Sequence, residues 1–281
     1  MKKNVILLLA LMLLPLSLFA KQEVIDKAYM KCSYYYKWEF DTLEHKEAPH
    51  EDLLYLQIGS HVSKCFSYYT YQCDSLLSTP DGEKEWTQLL HSAIKSGFKG
   101  GDLRASFPHK RMNTVVYKNY PEGKTTVHDY LSSQYYVYED DLNPQDWNIE
   151  DSTKTVLGHE CQKATCDFRG RQWTAWFATD VPISDGPWKF GGLPGLVMEV
   201  YDKSRQQYFC INGLQKVDNE PIEFGILDKR CKKPQKITRK EFNKAEIHEA
   251  RNQNAVIEAQ TGISLGASDT KWHRDLLERD Y

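Results

Sequence analysis

The chain has 281 residues, enough for one large domain or two small ones, and a formal net charge of −3 at pH 7. The lack of a basic excess argues against a nucleic-acid-binding protein, because such proteins need positive charge to neutralise phosphates. Aromatic residues make up 12% of the chain, with 17 Tyr and 7 Trp. This content favours a sheet whose aromatic side chains pack across neighbouring strands.

The first 20 residues, MKKNVILLLALMLLPLSLFA, have the order of a secretory signal peptide: a charged start, an apolar run and a small final residue. The apolar run is shorter than the roughly 20 residues that a spanning helix needs, so we expect cleavage after Ala20; a retained N-terminal anchor is the alternative. The sequence therefore predicts an exported protein of the periplasm or cell envelope. Residues 21–281 are expected to form one domain with no integral membrane segment.

Strand patterns dominate the first part of the chain. Residues 27–40 are rich in aromatics with partial alternation, and two more strand-like runs, LLYLQIG and SHVSKCFSYYTYQC, are separated near Gly59. Residues 78–97 carry apolar side chains at helical spacing and predict an amphipathic helix. From residue 112 the period returns to two, which predicts a hairpin around residues 121–123 and a further strand in SSQYYVYEDD.

The second half of the chain also has strand signals. The segment 140–152 is acidic and turn-rich. It could divide the chain into two lobes, but it is too short and too aromatic for a flexible linker. Two antiparallel strands are predicted at about 155–168 and 172–179. A loop rich in Gly and Pro follows, and then a second hairpin around residues 202–204.

The C-terminal part combines a helix signal with a polar tail. Thr238 can accept from a free backbone N–H and Glu241 can reach back, which is a capping box and predicts a helix over about 239–252. The tail from about residue 262 is expected to be partly flexible. The fold class that follows is α+β, mainly β: a curved antiparallel sheet, half-open and barrel-like, with a mid-chain amphipathic helix and a C-terminal helix.

All seven cysteines lie in the exported part of the chain, where disulfides are permitted. The odd number leaves at least one thiol without an intramolecular partner, and the pairing does not follow from the sequence. Small buried thiols are the alternative for Cys65 and Cys73. The candidates for disulfide bonding are Cys65, Cys73, Cys161, Cys166, Cys210 and Cys231.

One pair of residues could support nucleophilic catalysis. Cys161 follows His159 by two positions, so on a strand both side chains would share a face, as an activated thiolate needs. Nothing nearby supplies a third, orienting group, and a structural disulfide is therefore the favoured interpretation of Cys161. No residue completes a catalytic motif.

The sequence predicts neither a metal site nor a cofactor. The His and Cys residues lack the spacings HExxH and CxxC, and no EF-hand loop is present. Acidic residues near Trp147, among them Asp140 and Asp141, could bind a sugar or act as acid and base. Their spacing has no fold context, so an exposed acidic loop is the favoured interpretation.

Residues 186–200 read GPWKFGGLPGLVMEV and form the most distinctive stretch of the chain. The stretch lacks the Lys-Ser/Thr of a phosphate-binding loop, and it leads into a strand where such a loop needs a helix N-terminus. Glycine permits close backbone approach or positive φ, and proline fixes φ. We therefore predict a structural loop formed by Gly186, Pro187, Gly191, Gly192, Pro194 and Gly195.

The second half of the chain resembles the GLPGLI family of exported Bacteroidota proteins. The resemblance rests on the run 192–197, where Val197 replaces the final Ile, and on the preceding AWF, DVP and GPWKF motifs. It implies export, a mostly antiparallel β fold and no recognised active site. The layout is also similar in outline to periplasmic lipoprotein carriers, whose curved sheet holds acyl chains; this is an analogy of fold alone.

The leading hypothesis is a non-enzymatic envelope protein that binds a lipid-like apolar ligand or an envelope protein partner through its curved sheet. The alternatives are a thiol-dependent or hydrolytic enzyme using Cys161 and His159, and a structural protein of envelope assembly. The predicted ligand or partner surface consists of Trp176, Trp188, Phe190, Leu193 and Leu196.

Overall fold

The fold is described from a computed structural model of the chain. The structure describes residues 22–39, 49–97, 108–131, 134–225, 233–252 and 275–280. The predicted signal peptide and Cys231 lie outside these residues, as does most of the tail that is expected to be flexible.

Within the described ranges the chain forms twelve strands and three helices. The strands are β1 (Glu23–Trp38), β2 (His50–Gly59), β3 (Ser63–Ser67), β4 (Val115–Lys118), β5 (Lys124–Leu131), β6 (Gln134–Asp141), β7 (Asn148–Val156), β8 (His159–Phe168), β9 (Arg171–Ala178), β10 (Leu196–Asp202), β11 (Gln207–Phe224) and β12 (Gln235–Lys236). The helices are α1 (Tyr68–Leu77), α2 (Pro80–Gly97) and α3 (Arg239–Arg251).

All strands belong to one sheet in the order β12-β6-β5-β4-β3-β2-β1-β11-β10-β9-β8-β7. Neighbours run antiparallel, except that β12 lies parallel to β6. The long strands β1 and β11 pair at the centre, from Glu23 opposite Phe224 to Trp38 opposite Gln207. The mainly β class and the open antiparallel sheet are therefore confirmed, and β12 and β7 are its edges; the sheet does not close into a barrel.

The two faces of the sheet differ in what covers them. Alternation along β1 buries Cys32, Tyr34 and Tyr36 on one face. The connection between β9 and β10 lies over this face, and the Tyr34 hydroxyl donates to the carbonyl of Val197 at 2.8 Å. We call this side the loop face and the opposite side the outer face. The main hydrophobic core lies between the loop face and that connection.

Two segments differ from their predicted secondary structure. Residues 68–73, predicted as the end of a strand, belong to α1, because the Ser67 hydroxyl caps the helix by accepting from Thr70 N at 3.1 Å. Residues 148–152 of the acidic, turn-rich segment belong to β7, which pairs with β8. The turn between these strands places Leu157 and Gly158 at φ 49° and 84°. Leu157 is not one of the residue types that usually predict a turn, and the sequence therefore does not predict one at this position.

The helices lie outside the sheet. α2 packs on α1, and most of its side chains are exposed. α3 begins with a capping box in which Thr238 and Glu241 bond reciprocally, and its Phe242 packs against Tyr138 of β6. None of the helices among the described residues combines the length and apolarity that crossing a bilayer requires.

Candidate functional site

The residues between β9 and β10 form a loop that folds back onto the loop face. We define the 181–195 loop as Val181 to Gly195. Backbone bonds close it at its base, where Leu196 N donates to Val181 O at 3.0 Å and Val197 N donates to Asp185 O at 2.9 Å. The start of β10 is therefore bonded to the loop that precedes it.

A buried lysine cross-links this loop to the opposite half of the sheet. Lys118 ends β4, where alternation places it on the loop face together with Val116. Its ammonium donates to the Asp185 carboxylate, to Gly186 O at 2.6 Å and to Phe190 O at 2.9 Å. Three acceptors match the three donors of an ammonium, and the Asp185 carboxylate balances the buried charge.

The aromatic side chains of the loop pack into the core. Trp188 is 2% exposed and its backbone N–H donates to Cys65 Sγ at 3.2 Å. The Phe190 ring lies 5.2 Å from the Trp188 ring and 4.7 Å from the Trp173 ring in edge contacts. Such arrangements are favourable for aromatic pairs. The loop therefore supplies part of the core that covers the sheet.

Glycine is required at two positions of the loop for different reasons. Gly192 has φ 81°, in the left-handed region that favours glycine. Gly195 has no positive φ, but a Cβ there would lie 2.1 Å from the carbonyl oxygen of Ala178. The close approach of two backbone segments thus explains Gly195.

A network of buried ion pairs ties the loop to the C-terminal segment, residues 275–280. The Lys189 ammonium bonds to Asp140 at 2.8 Å and also to Glu278. Arginines from the β8–β9 turn and from the start of α3 bond to the same carboxylates. The members of this network are Asp140, Arg169, Lys189, Arg239, Glu278 and Asp280.

Arg171 makes a second attachment of the same segment. Its guanidinium, which is fully buried, bonds to Asp202 at 2.8 Å and to Asp275 at 2.9 Å. It also donates to the carbonyl oxygens of Leu276 at 2.6 Å and Leu277 at 2.9 Å. The last described part of the tail is therefore bound to the sheet through charge-assisted hydrogen bonds.

A cavity of about 170 Å³ opens beside the loop on the same face. Its aromatic wall includes Trp38, Tyr138 and Phe242, and Trp188 also contributes to it. The Asn243 side chain of α3 lines the cavity and is 4% exposed. Its Nδ2 finds no hydrogen-bond partner within the described part of the chain. The wall also has polar groups, among them the charged side chains Arg111, Asp129 and Glu246. Aromatic rings combined with polar groups and a buried unsatisfied donor are the composition of a small-ligand site.

The residues of the predicted ligand surface do not lie together. Trp188, Phe190, Leu193 and Leu196 are buried on the loop face, where they contact protein. Trp176 is on the outer face, and the Lys154 ammonium lies 4.5 Å from its ring centroid. Of the five, only Trp188 lines the cavity.

The described cysteines carry free thiols. Cys32, Cys65, Cys73, Cys161, Cys166 and Cys210 form no disulfide with one another, although five of them were candidates for bonding. Burial raises the pKa of Cys65 to about 11 and that of Cys166 to about 12. These side chains pack as small apolar groups, the alternative that the sequence left open for Cys65 and Cys73.

The Cys161 and His159 pair lacks the geometry of an activated thiolate. Cys161 Sγ donates to the backbone carbonyl of His159 at 3.5 Å. The imidazole Nδ1 of His159 instead lies 2.8 Å from Asp180 Oδ2. Burial raises the pKa of the Cys161 thiol to about 11, which disfavours the thiolate at neutral pH.

Asp140 and Asp141, the acidic pair near Trp147, end β6 and face opposite sides of the sheet. Asp141 is exposed and pairs with Lys124, whereas Asp140 is buried in the ion-pair network. The expectation of an exposed acidic loop is therefore wrong for Asp140, because alternation turns it toward the loop face with Tyr138. No group of three or more His, Cys, Asp or Glu side chains in the described ranges is arranged to hold a metal ion.

Several residues of the site were not identified from the sequence. Lys118 and Asp140 each lie two positions from an inward apolar residue of a strand, and this alternation was the available signal. Lys189, Arg171 and Glu278 had no comparable local signal. Their burial depends on partners that are distant in the chain.

Comparison with known proteins gives one family match and a weak structural likeness. A family described as "Protein of unknown function (Porph_ging)" matches residues 169–199, which contain β9, the 181–195 loop and the start of β10. No curated protein matches. The chain is similar to two crystal forms of PNGF-II, each at 12% identity and a TM-score of 0.48. Each likeness covers 79% of this chain and 33% of that one, so this chain spans about a third of PNGF-II.

Proposed function

We propose that this chain is an exported, non-enzymatic binding protein of the cell envelope, similar to the GLPGLI family. Its occupant would be a small apolar ligand, or one apolar side chain of a partner protein, held in the cavity beside the 181–195 loop. The observation that carries the proposal is the aromatic cavity with the unpartnered, buried Asn243 amide. An amide donor in this position favours an occupant that presents a carbonyl or hydroxyl oxygen.

The size of the cavity limits the occupant. Its volume of about 170 Å³ lies below the roughly 300 Å³ at which pockets for drug-sized ligands begin. The buried side chains of the 181–195 loop occupy the space above the sheet that a carrier of acyl chains would keep open. A short ligand is therefore better supported than a whole lipid.

Native mass spectrometry tests this proposal on protein purified from its own cell envelope. We expect an additional mass on the wild-type protein and its loss in Asn243→Leu, since Leu cannot donate the hydrogen bond. Gln172→Leu, at an exposed position of β9, is the matched control and should keep the additional mass. Bare wild-type protein, or an adduct retained by Asn243→Leu, would contradict the proposal.

Export is part of the same proposal and is tested separately. The charged start and apolar run of residues 1–20 support it. N-terminal sequencing of protein from the envelope fraction should begin at Lys21. Recovery of the intact N-terminus would contradict cleavage and would favour the retained anchor.

A thiol-dependent enzyme is the alternative from a different class. It has less support, since the Cys161 thiol bonds to a backbone carbonyl and its pKa is raised to about 11. Rapid alkylation of Cys161 in the native protein at neutral pH would favour this alternative.

A further inference from the structure

A second cavity lies on the outer face, away from the 181–195 loop. Its volume is about 50 Å³, enough for a small polar group and well above the 10–15 Å³ that one water needs. Strands β3, β4 and β5 form its floor and α1 borders it. Apolar and aromatic side chains, among them Phe66, Tyr71 and Tyr117, form most of its wall.

The first polar group of this cavity is the amine of Lys64. On β3, Cys65 faces the 181–195 loop, so alternation turns Lys64 to the outer face. Lys64 is 6% exposed, and its ammonium donates to Glu223 O at 2.9 Å. Among the described residues no carboxylate bonds to it; its other neighbours are the rings of Phe66 and Tyr117, at 5.1 and 5.5 Å. The ammonium therefore has donors to spare.

The second polar group is the imidazole of His128 on β5. His128 is 5% exposed and packs between the rings of Tyr117, at 5.4 Å, and Phe224, at 4.9 Å. Its Nδ1 is buried and has no hydrogen-bond partner in the described ranges. Burial and the nearby Lys64 charge lower its pKa to about 4, so the ring is neutral at neutral pH. A neutral imidazole carries one N–H, on either Nδ1 or Nε2. No described group donates a hydrogen bond to Nδ1, so the proton can lie on this atom and be donated to a ligand.

We propose that this cavity binds the carboxylate of a small aliphatic acid, with the Lys64 ammonium and the His128 Nδ1–H as donors. A carboxylate accepts from both groups and places a negative charge in direct contact with the buried Lys64 ammonium, which a water molecule does not do. Among the described residues the Glu223 carboxylate lies near this ammonium but does not bond to it. The aliphatic end of the acid would lie along Phe66 and Tyr71 toward solvent, since Tyr71 is 38% exposed. The site is separate from the loop-face cavity, so its failure leaves the proposed function untouched.

Thermal unfolding with sodium butyrate tests the charge requirement. At matched ionic strength we expect butyrate to raise the Tm, whereas the neutral isostere butyramide and sodium chloride should not. Lys64→Met should lose the rise, with at least about a tenfold weaker affinity, because it removes a hydrogen bond from a charged donor. Lys216→Met, at an exposed position of β11, should keep it. An equal rise with butyramide, or a rise that persists in Lys64→Met, would overturn the proposal.

Nitrogen-15 NMR of histidine-labelled wild-type protein tests the second donor directly, and a variant is needed only to assign the resonance. Butyrate should shift the Nδ1 resonance of His128, identified by its absence from the spectrum of His128→Phe, and butyramide should not. An unshifted Nδ1 together with an unchanged Tm would show that the cavity holds water only, and the proposal would be wrong.

The pH dependence follows from the groups that face Lys64. These are Glu223 of β11, His128 of β5, Tyr117 of β4, and Tyr71 and Asp74 of α1, with Asp74 lying 2.5 Å from Lys110. Burial lowers the pKa of Lys64 to about 8, and a bound carboxylate would raise it. Butyrate affinity should therefore fall as the pH rises above this value, and a pH-independent affinity would contradict the role of Lys64.

Discussion

Among single residues, Lys118 has the clearest structural role. It connects β4 to the 181–195 loop through the Asp185 carboxylate and two backbone carbonyls. Each of the three donors of its buried ammonium has an acceptor. The side chain therefore connects the loop to the half of the sheet that contains β4.

Lys118→Met is expected to lower the free energy of unfolding by about 3–5 kcal/mol, because it leaves the Asp185 carboxylate and two carbonyls buried without their donor. Denaturant titration measures the change. Lys124→Met is the matched control, since Lys124 pairs with Asp141 where both side chains are exposed, and it should lose less than about 1 kcal/mol. Equal losses in the two variants would contradict a cross-linking role for Lys118.

His128 makes the stability of the protein depend on pH. Burial lowers its pKa from 6.5 to about 4, so between these values the unfolded chain binds more protons than the folded one. Stability should therefore decline as the pH falls from about 6.5 toward 4, by about 2–3 kcal/mol from this group. His128→Phe should remove that part of the decline in denaturant titrations at several pH values. Parallel curves for the two proteins would show that His128 is not buried in the neutral form.

At the scale of elements, the C-terminal segment joins the sheet, the 181–195 loop and α3. The C-terminal segment is short and irregular, yet its charged side chains and carbonyls are bound by the β8–β9 hairpin, the 181–195 loop and α3. Within this segment Leu276 is also buried, and Leu277 packs against the main hydrophobic core. The segment therefore belongs to the folded domain.

Glu278→Gln tests this attachment. The change leaves Lys189 and Arg239 with fewer negative partners in a buried setting, and we expect a loss of about 2–4 kcal/mol by denaturant titration. Glu160→Gln, at an exposed position of β8, should change stability by less than about 0.5 kcal/mol. Equal losses of unfolding free energy in the two variants would contradict attachment of the C-terminal segment through the Glu278 ion pairs.

At the level of these elements, local signals in the sequence predicted most of the sheet. Alternation marked β1, β2 and the hairpins, since one face of each strand is buried. The same alternation misled for residues 68–73, whose tyrosines suit a strand while the Ser67 cap starts a helix. β7 was missed because every residue before Val156 is exposed or half-buried, so the strand has no apolar alternation.

For the molecule as a whole, the core depends on packing rather than on disulfides. The loop and the C-terminal segment cover one face of an open sheet, and the cysteines of the described ranges are reduced and largely buried. Burial protects such thiols from oxidation and disulfide exchange.

Thiol titration checks this arrangement. The six described cysteines should react slowly in the native protein at neutral pH, since most of them are inaccessible. In addition, burial raises the pKa of five of them, namely Cys32, Cys65, Cys161, Cys166 and Cys210. After denaturation without reductant, all six should react rapidly. Recovery of fewer than six thiols would indicate disulfides that this arrangement lacks.

Short-range patterns in the chain were sufficient for the strand-rich class and for most strands of the open sheet, and they are also the basis of two statements that stay predictions, export and the structural role of the glycine- and proline-rich loop. Each rests on residues that are neighbours in sequence, where alternation and turn chemistry act directly. The partners of the buried charges could not be obtained in this way. Lys118 meets Asp185 across 67 positions and Lys189 meets Glu278 across 89. Those contacts exist only because tertiary packing brings the two halves of the sheet and the C-terminal segment together, and the two cavities likewise form between elements that are distant in the sequence.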